Sequence, residues 1–140
     1  MKVTYLLFII MALASCQTPT TQVVDKEPDY SFPLEEFDIA RIQAAYEDGT
    51  YTIVDIVSIY LDRIEEIDRN GPAINSIITV NPDALEIAKQ LDEERAAGKI
   101  RGPMHGIPVI IKDNIDTHDK MPNTAGSLIL KDSYPDSDAF

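Results

Sequence analysis

Apolar positions along the chain fall into blocks separated by proline, glycine and asparagine. From Leu34 to Glu47, Phe37, Ile39, Ile42, Ala45 and Tyr46 recur near helical spacing, and Gly49 lies just past the end, so a first helix is expected there. From Ile53 to Arg69 a broader stripe of Ile53, Ile56, Val57, Tyr60, Leu61, Ile64 and Ile67 opposes Asp62, Glu66 and Arg69. Thr52 suits the N-cap of this second helix, Asp55 completes a capping box, and Asn70-Gly71-Pro72 ends it. The stretch Ile74–Val80, rich in β-branched residues, predicts a strand. Asn81-Pro82 then opens a third helix over Asp83–Ala97, with Leu85, Ala88 and Leu91 facing inward and Gly98 closing it. After a turn rich in glycine and proline, Ile107–Lys112 predicts a short apolar strand. The remainder predicts loop, with one short helix near Ser127–Leu130.

Helices alternating with strands suggest the α/β class. The segment Ile107–Lys112 is apolar on both faces, the pattern of a strand in the middle of a sheet. A central strand needs neighbours on both sides, and a pair of strands makes no self-sufficient sheet. The fold is therefore expected to continue beyond residue 140.

The N-terminal block has a different pattern. Lys2 precedes an apolar run from Leu6 to Ala12, which is shorter than the ~20 residues of a spanning helix and fits the core of an export signal. The run ends in Leu13-Ala14-Ser15-Cys16, which resembles the bacterial lipobox. Small residues there let a signal peptidase bind the chain extended, and the thiol of Cys16 is the acceptor for diacylglycerol. Residues 1–15 are thus expected to be a lipoprotein signal peptide and Cys16 the lipidation site, placing the protein in a bacterial cell envelope as a membrane-anchored lipoprotein. A plain secretory signal with an incidental cysteine is the alternative. Residues 16–33, rich in proline and threonine, form the expected tether, and residues 34–140 the folded part.

Composition narrows the partners. Asp and Glu number 24 against 12 Lys and Arg, a formal charge of −12, which excludes a nucleic-acid backbone as partner. Cys16 is the 1 cysteine present, so neither an internal disulfide nor a Cys-rich zinc site is possible.

Candidate chemistry lies at the end of the second apolar strand. Alternation puts Ile110 and Lys112 on one face and Val109 and Ile111 on the other. In a central strand Lys112 is at least partly buried. Burial disfavours an ammonium, and a neutral lysine is a usable general base. A surface or ion-paired lysine is the plain alternative. Gly102, Pro103, Gly106 and Pro108 shape the approach to it.

These residues resemble a known family. The segment GPMHGIPVIIKDNID (102–116), followed by TAGS (124–127), looks like the amidase signature family, whose usual forms are GPLHGIPVxVKDN and TTAGS. RIEEID (63–68) and INSIITVNPDALEIAKQLD (74–92) are similar to the family's upstream stretch, so the resemblance covers roughly residues 34–140. It implies the N-terminal part of a fold with helices packed on a mixed sheet, and amide C–N hydrolysis by a Ser–cis-Ser–Lys triad, with Lys112 at the position of the catalytic lysine. It implies a small-molecule amide substrate and no metal or organic cofactor. Both serines and the Gly/Ser-rich oxyanion loop lie further C-terminal in the family and have no match here. Ser127 belongs to the TAGS block and is not the nucleophile, Ser133 and Ser137 lack a matching context, and Asn123 stands where threonine is more usual.

The chain alone is therefore expected to be inactive. Its alternatives are a non-catalytic lipid-anchored envelope module and one half of a split amidase completed by a C-terminal chain. His105 is expected as a turn residue beneath the lysine loop rather than a base or ligand, and His118 as a solvated loop residue. Asp113, Asp116 and Asp119 lack the spacing of a calcium loop and are expected to cap or be solvated, with Asp113 orienting neighbouring loop groups.

Overall fold

The computed structural model describes residues 29–139. The expected signal peptide, Cys16 and nearly all of the tether lie outside these residues. Helix α1 spans Ile39–Glu47, α2 Ile53–Arg63, and α3 Ala84–Ala96. α2 runs on into π-helical turns over Ile64–Asn70, and a single 3-10 turn forms at Leu128–Leu130.

The helices begin where side chains satisfy their free N–H groups. The Asp38 carboxylate accepts from the Arg41 N–H at 2.8 Å and starts α1. This corrects the expected start at Leu34. Residues 33–36 form a turn instead, with Glu36 at φ +58° and Phe37 N–H bonded to the Leu34 carbonyl at 3.1 Å. A left-handed residue cannot sit inside a right-handed helix. Leu34 is nonetheless fully buried.

At α2 the capping box of Thr52 and Asp55 forms as expected. A second carboxylate adds to it across the fold. Asp92 of α3 accepts from the Ile53 and Val54 N–H groups at 2.9 and 3.0 Å. A negative charge at a helix N-terminus is doubly favourable, as acceptor and against the helix dipole.

The core gathers Leu34, Ile42, Tyr46, Ile53, Ile56 and Ala88, with α2 packed on α3. Val57 and Tyr60 of the expected α2 stripe line its edge. In α3, Ala88 is buried and Leu91 packs against the core, whereas Leu85 points to solvent. Leu85 corrects the expected inward face. It lies a turn before Ala88 and is 46% exposed.

Neither expected strand forms a ladder among the described residues. Ile74–Val80 begins with Ala73 and Asn75 both at positive φ (53° and 54°), conformations incompatible with a strand. Asp68, buried at the end of the π-helical turns, grips the next residues instead, accepting from the Ser76 N–H and hydroxyl, both at 2.6 Å, and from the Ile77 N–H at 3.2 Å. These bonds hold its carboxyl below the usual carboxylate range, the Ser76 hydroxyl contributing most. Along Ile107–Lys112, Val109 is 65% and Ile110 79% exposed. A strand exists by exchange of hydrogen bonds with a neighbour, and no described segment forms a ladder with either one. The helical part of the expected architecture is present, while its sheet is not seen among the described residues.

Candidate active-site segment

The lysine-bearing segment is held at both ends. Upstream, the turn at residues 101–106 sits against α1 and α3. Gln43 of α1 donates through Nε2 to the carbonyls of Pro103 (3.0 Å) and His105 (2.8 Å). One turn along α1, the buried Tyr46 hydroxyl donates to the Gly106 carbonyl at 2.7 Å. Burial pushes the Tyr46 phenol well above its ordinary value, with the nearby Asp92 charge adding to it. The Arg95 guanidinium lies 5.1 Å from the Tyr46 ring centre and donates to Gln43 Oε1 at 3.1 Å, orienting both clamping side chains.

His105 is 4% exposed and fully engaged. Its Nε2 donates to the Leu91 carbonyl at 2.9 Å, and its Nδ1 accepts from the Arg101 N–H at 3.3 Å. Since a carbonyl only accepts and an amide N–H only donates, the neutral Nε2–H tautomer is selected. Neither nitrogen is free to act as base or ligand, in keeping with the expected turn role. Arg101 extends the anchor through a hydrogen bond from Nε to Glu94 at 2.6 Å.

Downstream, Asp113 takes over. Its carboxylate accepts from the Thr124 hydroxyl and, at 3.2 Å, from the Gly126 N–H, while its carbonyl accepts from the Ala125 N–H at 2.7 Å. The Thr124 N–H adds a longer contact at 3.4 Å. The Thr124 hydroxyl chiefly, and these N–H groups with it, hold the Asp113 carboxyl below its ordinary value. Thr124 is buried, and Ala125 and Gly126 both take positive φ (46° and 75°). The TAGS block is thus wrapped around the residue that follows Lys112, which is the orienting role expected of Asp113.

The other two loop aspartates serve separate hydrogen bonds. Asp116 accepts from the Asn123 side chain, which gives the asparagine found there a structural role. Asp119 accepts from the Met121 N–H (2.7 Å) and the Thr117 hydroxyl (3.1 Å). Lys120 pairs with Asp83 at 2.7 Å, tying the loop to the start of α3. His118 is exposed and its Nδ1 donates to the Pro135 carbonyl at 3.2 Å. Among the described residues no group of three or more His, Cys, Asp and Glu is placed to hold a metal ion. No helix among them is long and apolar enough to cross a membrane.

Lys112 itself is exposed, which corrects the burial expected of a central strand. The cause is the missing ladder: with no neighbouring strand, nothing covers that face. Among the described residues its ammonium has no hydrogen-bond or ion-pair partner. Ser127 stays in the TAGS turn, its N–H bonded to the Thr124 carbonyl at 2.7 Å. Ser133 and Ser137 line a shallow depression with Asp116 and Asn123, which does not include Lys112. Gln43 and Tyr46 were not legible as site-forming residues. Their spacing on one face of α1 was the available signal.

In sequence and fold the chain is similar to a defined class of proteins. The family model described as Amidase matches residues 55–140, and the chain belongs to the amidase family. A putative amidase of Schizosaccharomyces pombe is 45% identical over 123 residues, covering 88% of this chain and 21% of that protein. One glutamyl-tRNA(Gln) amidotransferase polypeptide, from Natranaerobius thermophilus, is 37% identical, covering 73% of this chain and 20% of its own length. The solved peptide amidase of Stenotrophomonas maltophilia superposes with a TM-score of 0.75 at 43% identity, over 78% of this chain and 22% of that enzyme. The chain therefore spans about a fifth of the length of the relatives it matches.

Proposed function

We propose that this chain is the lysine-bearing N-terminal part of an amide C–N hydrolase, in which Lys112 is the base of a Ser–cis-Ser–Lys triad. The observation that carries this reading is the Lys112-Asp113 step, clamped upstream by Gln43 and Tyr46 and downstream by the TAGS block, within a segment that aligns with amidases. In a completed fold Ile107–Lys112 acquires strand neighbours and forms part of a mixed sheet. That sheet buries Ile110 and takes water away from Lys112, favouring the neutral amine that accepts a proton from the relay serine during acylation. The lysine then returns the proton to the leaving amine.

Among the described residues no serine hydrogen-bonds to the Lys112 ammonium, and the isolated chain is expected to be inert. Its exposed apolar residues favour an incomplete fold over a free-standing module: Leu128 is 88% and Ile129 93% exposed, and Val109 and Ile110 are exposed as well. The test is a hybrid in which residues 34–139 replace the aligned stretch of the Stenotrophomonas maltophilia peptide amidase. Release of ammonia from a peptide amide by the folded hybrid, and none by the isolated chain, supports the reading. A folded hybrid without turnover sinks it.

The N-terminal pattern adds a location. Lys2, the apolar run and Leu13-Ala14-Ser15-Cys16 support export and lipidation at Cys16, which makes a cell-envelope amide a better substrate class than an aminoacyl-tRNA. Each buried methylene contributes about 0.8 kcal/mol, so a multiply acylated cysteine holds the chain at the membrane. Expressed in a bacterial host with an alkyne-tagged fatty acid, the full chain is expected to take up label and lose it in Cys16→Ser. Equal labelling of both forms would refute the anchor.

A further inference from the structure

We infer that Asp113 and Thr124 form a positioning pair that aims the Lys112 side chain, so that the TAGS block acts as a brace for the lysine; this rests on Lys112 being the base. The geometry is specific. The peptide unit joining Lys112 to Asp113 leads directly into a carboxylate that accepts from the Thr124 hydroxyl and the Gly126 N–H. The Asp113 carbonyl accepts from the Ala125 N–H, closing a ring of bonds on both the side chain and the main chain of one residue. Thr124 is buried and the two residues after it are held at positive φ, so the loop cannot easily follow if Asp113 shifts. On the same side of the lysine, the Ile115 N–H bonds to the Lys112 carbonyl at 3.0 Å, turning the chain sharply just after it. Lys112 is therefore exposed along its side chain but fixed at its main chain.

The brace uses the acceptor capacity of an ionised carboxylate. An asparagine in its place presents one oxygen and an NH2 group, and cannot serve the Thr124 hydroxyl and the Gly126 N–H in the same way. Thr124→Val keeps the volume and removes the hydroxyl, whereas Thr124→Ser keeps the hydroxyl.

In the hybrid amidase, Asp113→Asn and Thr124→Val are expected to lower kcat by roughly 10- to 100-fold with KM little changed, the cost of a base held about an ångström out of line. Thr124→Ser is expected to restore most of the turnover that Thr124→Val loses. In the full chain itself, hydrogen exchange at the Ala125 and Gly126 amides is expected to accelerate in Asp113→Asn while the α2 amides stay protected. Lys112→Met is assayed beside these variants, so the two failures separate. If Lys112→Met is inert and a folded Asp113→Asn turns over like the parent, the brace is refuted and the base stands. If Lys112→Met turns over normally, the base itself is refuted. A fall confined to KM, or a Thr124→Ser no better than Thr124→Val, also overturns the positioning role.

Discussion

Lys112→Met in the hybrid amidase is expected to reduce kcat for amide release on the order of 10³- to 10⁴-fold, with the fold intact and KM nearly unchanged. Methionine has nearly the length and volume of the lysine stem but no nitrogen, so the substitution removes the proton acceptor and leaves packing almost as it was. Stability of the hybrid should hardly fall, because methionine keeps the volume of the lysine stem and asks no ammonium to give up water where the completed sheet covers it. The size of the effect follows from the lysine's double duty, as base toward the relay serine and then as acid toward the leaving amine. Rates and thermal midpoints measured on the same preparation decide the matter. A midpoint within a few degrees of the parent combined with undiminished turnover would remove Lys112 from the mechanism.

The helices were readable because their information is periodic and local. The stripe Ile53, Ile56, Val57 and Tyr60 needs only 3.6-residue spacing, and the Thr52–Asp55 box spans one turn. The Lys112 segment was readable chiefly for another reason, the match of GPMHGIPVIIKDN and TAGS to a family pattern, since the local signal, a lysine closing an apolar run, rested on a strand that forms no ladder among the described residues.

What was not readable involves bonds between distant positions. Asp92 caps α2 from 39 residues away, and Tyr46 reaches the Gly106 carbonyl across 60. Side-chain bonds to backbone atoms at such separations leave no periodic trace. The strands show the opposite failure. β-Branched composition in INSIITV and IPVII reports suitability for a pleated, half-buried surface, but a ladder depends on a neighbour that the segment cannot encode. The same missing neighbour explains why Lys112 and Ile110 face solvent, so the errors in fold and in site have one physical origin.

Gly106→Ala is expected to destabilise the chain by about 2–5 kcal/mol, combining left-handed backbone strain of ~1–2 kcal/mol with overpacking of ~1–3 kcal/mol. Gly106 has φ +79°, and a Cβ there would stand 2.5 Å from Cδ1 and 2.6 Å from Cγ1 of Ile53. Ile53 is 1% exposed at the centre of the core, with its N–H fixed by Asp92, so it has nowhere to retreat. The Gly106 carbonyl is pinned from the other side by the Tyr46 hydroxyl, which prevents the turn from backing away. Gly98→Ala is the matched control: Gly98 has φ +74° but open space where its Cβ would project, so only the backbone term applies. Urea unfolding of both variants separates the two contributions, with the midpoint of Gly106→Ala expected well below that of Gly98→Ala. Because the loss amounts to a large fraction of the roughly 5–15 kcal/mol that holds a typical domain together, the turn leading to Lys112 should open first, visible as faster hydrogen exchange at His105 and Ile107. Equal midpoints for the two variants would show that Ile53 and the lysine turn are not in the contact described, and that this glycine is needed for its φ alone.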